Sequence, residues 1–152
     1  IGHADPHVRL WTVRLLGDER VLTEPLAKRL ARLAKREPHV EVRSQLAATA
    51  KRLPGPQALP IIRALLEHDS DAGDIYQPLM VWWALESKVG QDASEVLELF
   101  EDKSVWQKSL ARQHLLSRLI RRFAKAGTRA DLMNGARLFE LAPDADAAGA
   151  AR

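Results

Sequence analysis

The sequence DPHVR at residues 5–9 is followed by EPHVEVR at residues 37–43, and this recurrence decides the fold class. The Val-Arg pair at positions 8–9 thus returns at positions 42–43. The two Val-Arg pairs are therefore 34 residues apart. Recurrence at this interval, in a chain with helical spacing of apolar residues, is typical of stacked helix pairs. No segment alternates with the two-residue period of a strand over a useful length. We therefore predict an all-α, right-handed α-solenoid of about eight helices in antiparallel pairs.

Prolines, glycines and capping residues divide the chain into these helices. Asp5 is placed to cap the first helix, with Pro6 at its first position. Residues 54–56 (Pro-Gly-Pro) are interpreted as a break, and Pro60 lies in the first turn of the fourth helix or kinks it. The Ala- and Asp-rich tail after Pro143 is compatible with the start of a further helix. The predicted helices cover about residues 6–16, 23–37, 39–53, 57–68, 75–88, 93–100, 105–126 and 128–141.

The apolar residues of each helix predict which side is buried. The fifth helix is apolar on nearly every side over residues 79–85, which predicts a central, buried position. In the third helix the expected inner stripe is Val42, Leu46, Ala47 and Ala50. In the eighth helix the residues expected to face inward are Leu132, Ala136, Leu138 and Leu141. One helix pair cannot bury such stripes alone, so we expect stability to come from stacking on neighbouring pairs.

The length and composition indicate a single domain over residues 1–152. No apolar run approaches the roughly 20 residues needed to cross a bilayer, so we expect no membrane insertion. Because the chain has no cysteine, it offers no disulfide, thiolate metal site, attached c-type haem or cysteine nucleophile. It begins at Ile1, almost directly in a repeat and without a signal peptide, so we expect a fragment of a larger multidomain protein.

The net charge of +3 conceals three blocks of opposite sign. Residues 1–63 carry 12 Lys/Arg and 6 Asp/Glu, residues 64–102 carry 1 and 10, and residues 103–152 carry 10 and 4. This basic–acidic–basic order favours protein surfaces of the opposite pattern, and it argues against one continuous nucleic-acid groove. We therefore predict a protein partner or a flanking domain, with nucleic acid as the less favoured alternative.

The repeated phrase resembles the second helix of HEAT repeats. The matching residues are Asp5, Pro6, Val8 and Arg9 in the first copy, and Pro38, Val42 and Arg43 in the second. The resemblance implies that an acidic residue caps the helix and that the arginine reaches a neighbouring repeat. These roles fall to Asp5 with Arg9, and then to Glu37 or Glu41 with Arg43. Residues 74–78 have no arginine at the matching place, so we expect the series of Asp–Arg contacts to be incomplete.

A narrower resemblance covers nearly the whole chain. It is carried by the strings VRLWTVRLLGDERV, VRSQLAATAKRLP, ALPIIRALLEHD, PLMVWWALESK and AGTRADLMNGARLFELAPDA. They are similar to the helical-repeat region of planctomycete-type membrane-bound dehydrogenase proteins, which combine a sugar-dehydrogenase-like β-propeller, HEAT repeats and a c-type cytochrome domain. The resemblance implies a bacterial, extracytoplasmic redox protein. It transfers no functional residue to this segment, because the chain contains no Cys-x-x-Cys-His motif.

No set of residues in the sequence predicts a catalytic, cofactor or metal site. A calcium loop of the EF-hand type starting at Asp69 would need an oxygen ligand at its fifth position and glycine at its sixth. Gly73 and Asp74 occupy those positions, so the motif fails. We interpret residues 69–74, including Asp71, as a solvated turn in which Asp74 caps the fifth helix.

Two kinds of residue are candidates for a binding surface. Trp82 and Trp83 are neighbours and lie about 100° apart on a helix, so both cannot face one core equally. We interpret them chiefly as packing residues, with one ring available to a partner, a sugar or a base. The basic runs are interpreted chiefly as solvated helix segments that complement the helix dipole. They comprise Arg29, Arg32 and Arg36 on the second helix and Arg121 and Arg122 on the seventh.

These observations predict a non-catalytic helical-repeat scaffold that positions flanking domains or a protein partner and needs no cofactor. The alternative is a nucleic-acid-binding protein of the HEAT-like DNA-glycosylase type. The basic runs and the tryptophans favour it, but no aspartate is recognisable as a catalytic residue. A third hypothesis is a carrier of small molecules in the region of Trp82 and Trp83.

Overall fold

The computed structural model describes residues 1–143, which form helices and turns without a strand. Within them the eight α-helices are α1 (Pro6–Asp18), α2 (Glu24–Arg36), α3 (Val40–Arg52), α4 (Gly55–Leu65), α5 (Gln77–Val89), α6 (Ala93–Leu99), α7 (Leu116–Ala126) and α8 (Arg129–Leu141). Short 3-10 turns lie at Asp69–Gly73 and Val105–Gln107, and a π-helical turn lies at Ala111–Leu115. The all-α prediction is confirmed for this part of the chain. The expected start of a further helix after Pro143 lies outside it.

The fourth helix differs from its prediction at both ends. It begins at Gly55, inside the segment interpreted as a break, and it ends at Leu65 rather than near His68. Pro56 fits the first turn because the N–H that proline lacks would have no partner there. Pro60 lies inside the helix. The Pro-Gly-Pro sequence therefore marks the start of a helix as well as the end of the one before.

The long seventh helix predicted over residues 105–126 is wrong at its start, because continuous helix begins only at residue 109 and includes a π-helical turn. A 3-10 turn ends at Gln107, Lys108 is extended with ψ 129°, and a π-helical turn then leads into α7. The interruption has a tertiary cause, because the N–H of Ser109 donates to Asp69 Oδ1 at 3.0 Å. The Lys108 side chain donates to Glu67 Oε2 at 2.7 Å. Helical spacing of apolar residues carries no information about these distant contacts.

The helices form two groups. In the first, α1 contacts α3, α3 contacts α5, and α5 contacts the π-helical turn that leads into α7. In the second, α2 contacts α4, α4 contacts α6, and α6 contacts α8. The groups pack on each other through α3 with α4, α4 with α5, and α7 with α8. One apolar cluster joins both groups, so the described residues share a single core.

Burial follows the predicted stripes in the middle of the chain and departs from them toward its end. The four predicted residues of α3 are fully buried. In α8, Leu138 is buried as predicted and Leu141 packs against the core, but Leu132 is 55% exposed and Ala136 is exposed, so the first half of the predicted stripe is wrong. The physical reason is that α8 packs mainly on α7 and α6, which cover a narrow part of its surface. No helix in the described part of the chain is long and apolar enough to cross a membrane.

The fifth helix is less completely buried than its composition predicts. Trp82 is buried, but Trp83 and Leu79 are 41% and 37% exposed. One of its buried residues is Lys88, whose ammonium group donates to the carbonyl oxygens of Lys51, at 3.0 Å, and of Leu53. Burial lowers the pKa of Lys88. The side chain thus satisfies carbonyl groups at the end of α3 that have no partner within the helix.

Candidate binding surface

Arg9 connects the start of α1 to the residue that follows α2. Its Nε donates to Glu37 Oε2 at 2.8 Å and its Nη2 donates to Glu37 Oε1 at 2.6 Å. Its Nη1 donates to the carbonyl oxygens of His3 and Ala4 at 2.8 and 2.7 Å. The Glu37 side chain is almost fully buried. Two parallel charge-assisted hydrogen bonds fix both distance and angle, so the pair positions α1 against the second helix pair.

Arg43 repeats this arrangement one unit later. Its Nε and Nη2 donate to Asp71 Oδ2 and Oδ1 at 2.7 and 2.5 Å, and its Nη1 donates to the carbonyl oxygen of Glu37 at 2.9 Å. Asp71 is only 3% exposed, so its interpretation as part of a solvated turn is wrong. Glu41, the other partner considered for Arg43, is exposed. Each arginine therefore bonds a carboxylate 28 residues further along the chain.

Gln77 occupies the position that follows Arg9 and Arg43 in the series, because positions 9, 43 and 77 are each 34 residues apart. It is fully buried. Its Nε2 donates to Asp71 Oδ2 at 3.4 Å, and its Oε1 accepts a hydrogen bond from Ser44 Oγ at 3.1 Å. The charged series thus ends with a neutral amide, which bonds Asp71 within its own helix pair and accepts from Ser44 in the preceding one. Asp74 caps the start of α5, because its Oδ1 accepts from the backbone N–H groups of Tyr76 and Gln77.

The charge of Glu37 is maintained despite its burial. Burial alone raises the pKa of the carboxyl group, but the hydrogen bonds from Arg9 and from the backbone N–H of His39 act in the opposite direction. The net effect lowers the pKa of Glu37 below its ordinary value. Asp5 acts locally at the same end of α1, where its Oδ1 accepts from the N–H of His7 at 2.8 Å. These residues therefore form a structural junction, with no side chain left free for a ligand.

An open groove crosses the solvent side of α1, α3 and α5, with a volume of about 740 Å³. Its lining includes four cationic side chains and two large apolar ones, namely Arg14, Arg20, Lys51, Arg52, Met80 and Trp83. Arg52 is bonded to Asp18. The other three cations form no ion pair within residues 1–143. The groove therefore presents uncompensated positive charge beside an exposed aromatic ring.

Two of the cations lie over tryptophan rings. Lys51 Nζ is 5.8 Å from the centroid of the Trp83 ring, and Arg14 Cζ is 5.1 Å from that of Trp11. The rings are 41% and 54% exposed. Each cation–π contact at such an exposed site contributes about 0.5–1 kcal/mol. The contacts hold the charges close to flat apolar surfaces, a combination that suits a ligand with both anionic and apolar groups.

Arg20 reaches the groove from a strained backbone. Its φ is 59°, in the left-handed region, where a non-glycine residue costs about 1–2 kcal/mol. The N–H of the next residue, Val21, donates to the carbonyl oxygen of Glu19 at 2.7 Å and closes the turn. Glycine would adopt this turn without the steric penalty. Strain of this kind is concentrated at functional positions.

Most of the sequence-predicted surface residues lie elsewhere. Arg29, Arg32 and Arg36 are exposed on α2, in the other group of helices. On α7, Arg121 is exposed, and Arg122 Nε lies 3.8 Å from Glu86 Oε1. None of these five arginines lines the groove, and of the two tryptophans only Trp83 does. The structure thus combines Trp83 with Arg14, Arg20 and Lys51, which sequence reasoning missed.

Two of the histidines, His68 and His114, contact backbone carbonyls of a preceding part of the chain. His68 Nε2 lies 2.7 Å from the carbonyl oxygen of Ala34, and His114 Nε2 lies 2.9 Å from that of Ala72. Within the described residues, no group of three or more His, Asp or Glu side chains is arranged to hold a metal ion.

Comparison of the chain with family models, with curated proteins and with solved structures finds no match.

Proposed function

We propose that this chain is a non-catalytic helical-repeat module, a right-handed α-solenoid of the HEAT type, that holds flanking domains or a protein partner at a fixed spacing. The observation that carries the proposal is the recurrence of one contact. Arg9 with Glu37 and Arg43 with Asp71 each join residues 28 positions apart. The two pairs are themselves offset by the interval that separates the two Val-Arg phrases. The same side-chain geometry at the sequence period is what stacked units of a repeat predict.

The pattern of helix contacts supports the same proposal. Along one side α1 contacts α3, α3 contacts α5, and α5 contacts the π-helical turn before α7, while along the other each even-numbered helix contacts the next even-numbered one. Cross-unit hydrogen bonds accompany both series. The Thr49 hydroxyl donates to the carbonyl oxygen of Val13 at 3.1 Å, and the Gln57 side chain bonds both the N–H and the carbonyl oxygen of Leu22. Contacts that join each unit mainly to its neighbours suit an elongated, stiff module.

The experiment measures this stiffness. Because the chain has no cysteine, Arg29→Cys on α2 and Glu140→Cys on α8 provide the only two sites for spin labels. We expect one narrow distance distribution by double electron–electron resonance in the folded chain, and a broad one in urea. Asp71→Ala in the same labelled chain is expected to broaden the folded distribution. A broad or two-peaked distribution in the unaltered fold would contradict a spacer function, as would turnover of any substrate by the chain.

The wider setting remains a prediction from the resemblance alone. In a redox protein with a β-propeller and a cytochrome domain, a module of this kind would separate the two. Sequencing the complete reading frame tests that prediction independently of the stiffness measurement, because the prediction requires a Cys-x-x-Cys-His motif in it.

A further inference from the structure

We propose that the groove across α1, α3 and α5 binds a short acidic peptide segment of a protein partner. The inference rests on the proposed function as an interaction module and names the chemistry of its partner. Arg14, Arg20 and Lys51 supply positive charge that no carboxylate within residues 1–143 neutralises through an ion pair. Trp83 and Met80 add apolar surface to the same groove. An acidic segment with an apolar residue between its carboxylates matches both features.

The extent of the positive surface favours a peptide over nucleic acid. On α3, Glu41 lies ten residues before Lys51, which places it about 15 Å away along the helix axis. On α5, Glu86 follows Trp83 by less than one turn. Every nucleotide of a nucleic-acid strand carries a phosphate, so a strand would meet these carboxylates as it left the groove. A peptide is charged only at its acidic side chains, so uncharged residues can lie beside Glu41 and Glu86.

The backbone of Arg20 gives independent support. A non-glycine residue occupies a left-handed position at the groove, where glycine would have no strain. Strained backbone of this kind is concentrated at positions whose side chains are used in function. Arg20→Gly therefore separates binding from folding. We expect it to raise the urea midpoint of unfolding while it weakens binding of the acidic segment.

The binding test uses fluorescence anisotropy in 50 mM NaCl. The probe is the fluorescein-labelled peptide Glu-Asp-Glu-Leu-Leu-Glu-Asp-Glu, and its control replaces every acid with the matching amide. We expect only the acidic peptide to bind, with affinity that falls as the NaCl concentration rises to 200 mM because salt screens exposed charges. Arg14→Glu with Lys51→Glu is expected to weaken binding at least tenfold. The matched control, Arg29→Glu with Arg36→Glu, changes the net charge equally on α2 and is expected to alter affinity less than twofold.

Three results would overturn the inference. The first is no binding of the acidic peptide at 50 mM NaCl. The second is equal loss of affinity in the groove variant and in the α2 variant, which would indicate a response to net charge alone. The third is tighter, groove-dependent binding of labelled octathymidylate, which would assign the groove to nucleic acid. Unchanged affinity in Arg20→Gly would remove Arg20 from the site. A narrow spin-label distribution together with no peptide binding would refute this inference and leave the spacer function standing.

Discussion

Removal of the Asp71 carboxylate is the most direct test of how the helix pairs are held together. In the native chain this carboxylate accepts two hydrogen bonds from Arg43 and one from Gln77. The Arg43 side chain is only 7% exposed. In Asp71→Ala its guanidinium would stay buried, with the carbonyl oxygen of Glu37 as its remaining hydrogen-bond partner. A buried charge that loses its partner destabilises a protein by about 3–5 kcal/mol.

The size of this effect is set by burial, and the chain offers a control that isolates it. Arg137 and Glu101 form an ion pair at 2.7 Å, but their side chains are 51% and 48% exposed. Pairs of this kind contribute about 0–1 kcal/mol, so we expect Glu101→Ala to lower the free energy of unfolding by no more than that. Domains of this kind are stable by about 5–15 kcal/mol. Asp71→Ala is therefore expected to remove a large part of the total.

The assay is urea unfolding followed by circular dichroism at 222 nm. The free energies of unfolding of both variants and the native chain are compared, provided that their m-values agree. The double replacement Arg43→Met with Asp71→Leu is expected to recover most of the loss, because replacing both members of a buried pair by apolar residues is often neutral. A loss in Asp71→Ala no greater than that in Glu101→Ala would refute the reasoning. It would mean that the pair contributes no more inside the protein than at its surface.

Two further predictions concern the Glu37 ion pair and the close packing of α1 on α3. Because the folded-state pKa of Glu37 is lowered, its contribution to stability is present above the ordinary glutamate pKa of 4.5 and is lost as the pH falls through the folded value. Urea unfolding from pH 7 to pH 3 should therefore show the native chain losing its advantage over Glu37→Gln in acid, and a constant difference would contradict this. Gly17→Ala would place a Cβ 2.8 Å from Thr49 Oγ1, so a loss of about 1–3 kcal/mol is expected in thermal or urea unfolding. The matched Gly135→Ala, with its nearest contact at 3.6 Å, is expected to gain about 0.4–1 kcal/mol, and equal behaviour of the two would disprove close packing at Gly17.

The sequence predicts most of the helices because their determinants are local. Apolar spacing, prolines and capping residues are all contained within the segment that folds. The same reasoning fails at residues 105–108, where the expected helix is replaced by a 3-10 turn and the N–H of Ser109 bonds Asp69 from a distant turn. It also fails for Leu132 in α8. The spacing of apolar residues predicts which side of a helix Leu132 lies on, but it does not predict whether another helix covers that side.

The candidate binding surface is harder to predict because it combines residues of three helices. Arg14, Lys51 and Trp83 lie on α1, α3 and α5, so each is separated from the next by close to one repeat of the chain. Only the alignment of the repeats on one another would reveal that they share a face. The runs that stand out in the linear sequence, such as Arg29 to Arg36, instead follow a single helix. Adjacent cations along one helix indicate a solvated side more often than a shared site.

The end of the charged series follows the logic of buried ion pairs. Val105 follows Gln77 at the same interval as Asp71 follows Arg43, where a carboxylate would complete a third pair, and it is buried. An arginine at position 77 without an acid at position 105 would leave a buried charge unpaired, which is strongly destabilising. Gln77 and Val105 avoid that state, because the basic and the acidic member of the pair are both replaced by uncharged residues. Gln77 still accepts a hydrogen bond from Ser44 Oγ on α3, so the third unit keeps a hydrogen bond to the second without a charge of its own. The series of charged contacts therefore ends at Gln77, which lies inside the acidic block of residues 64–102.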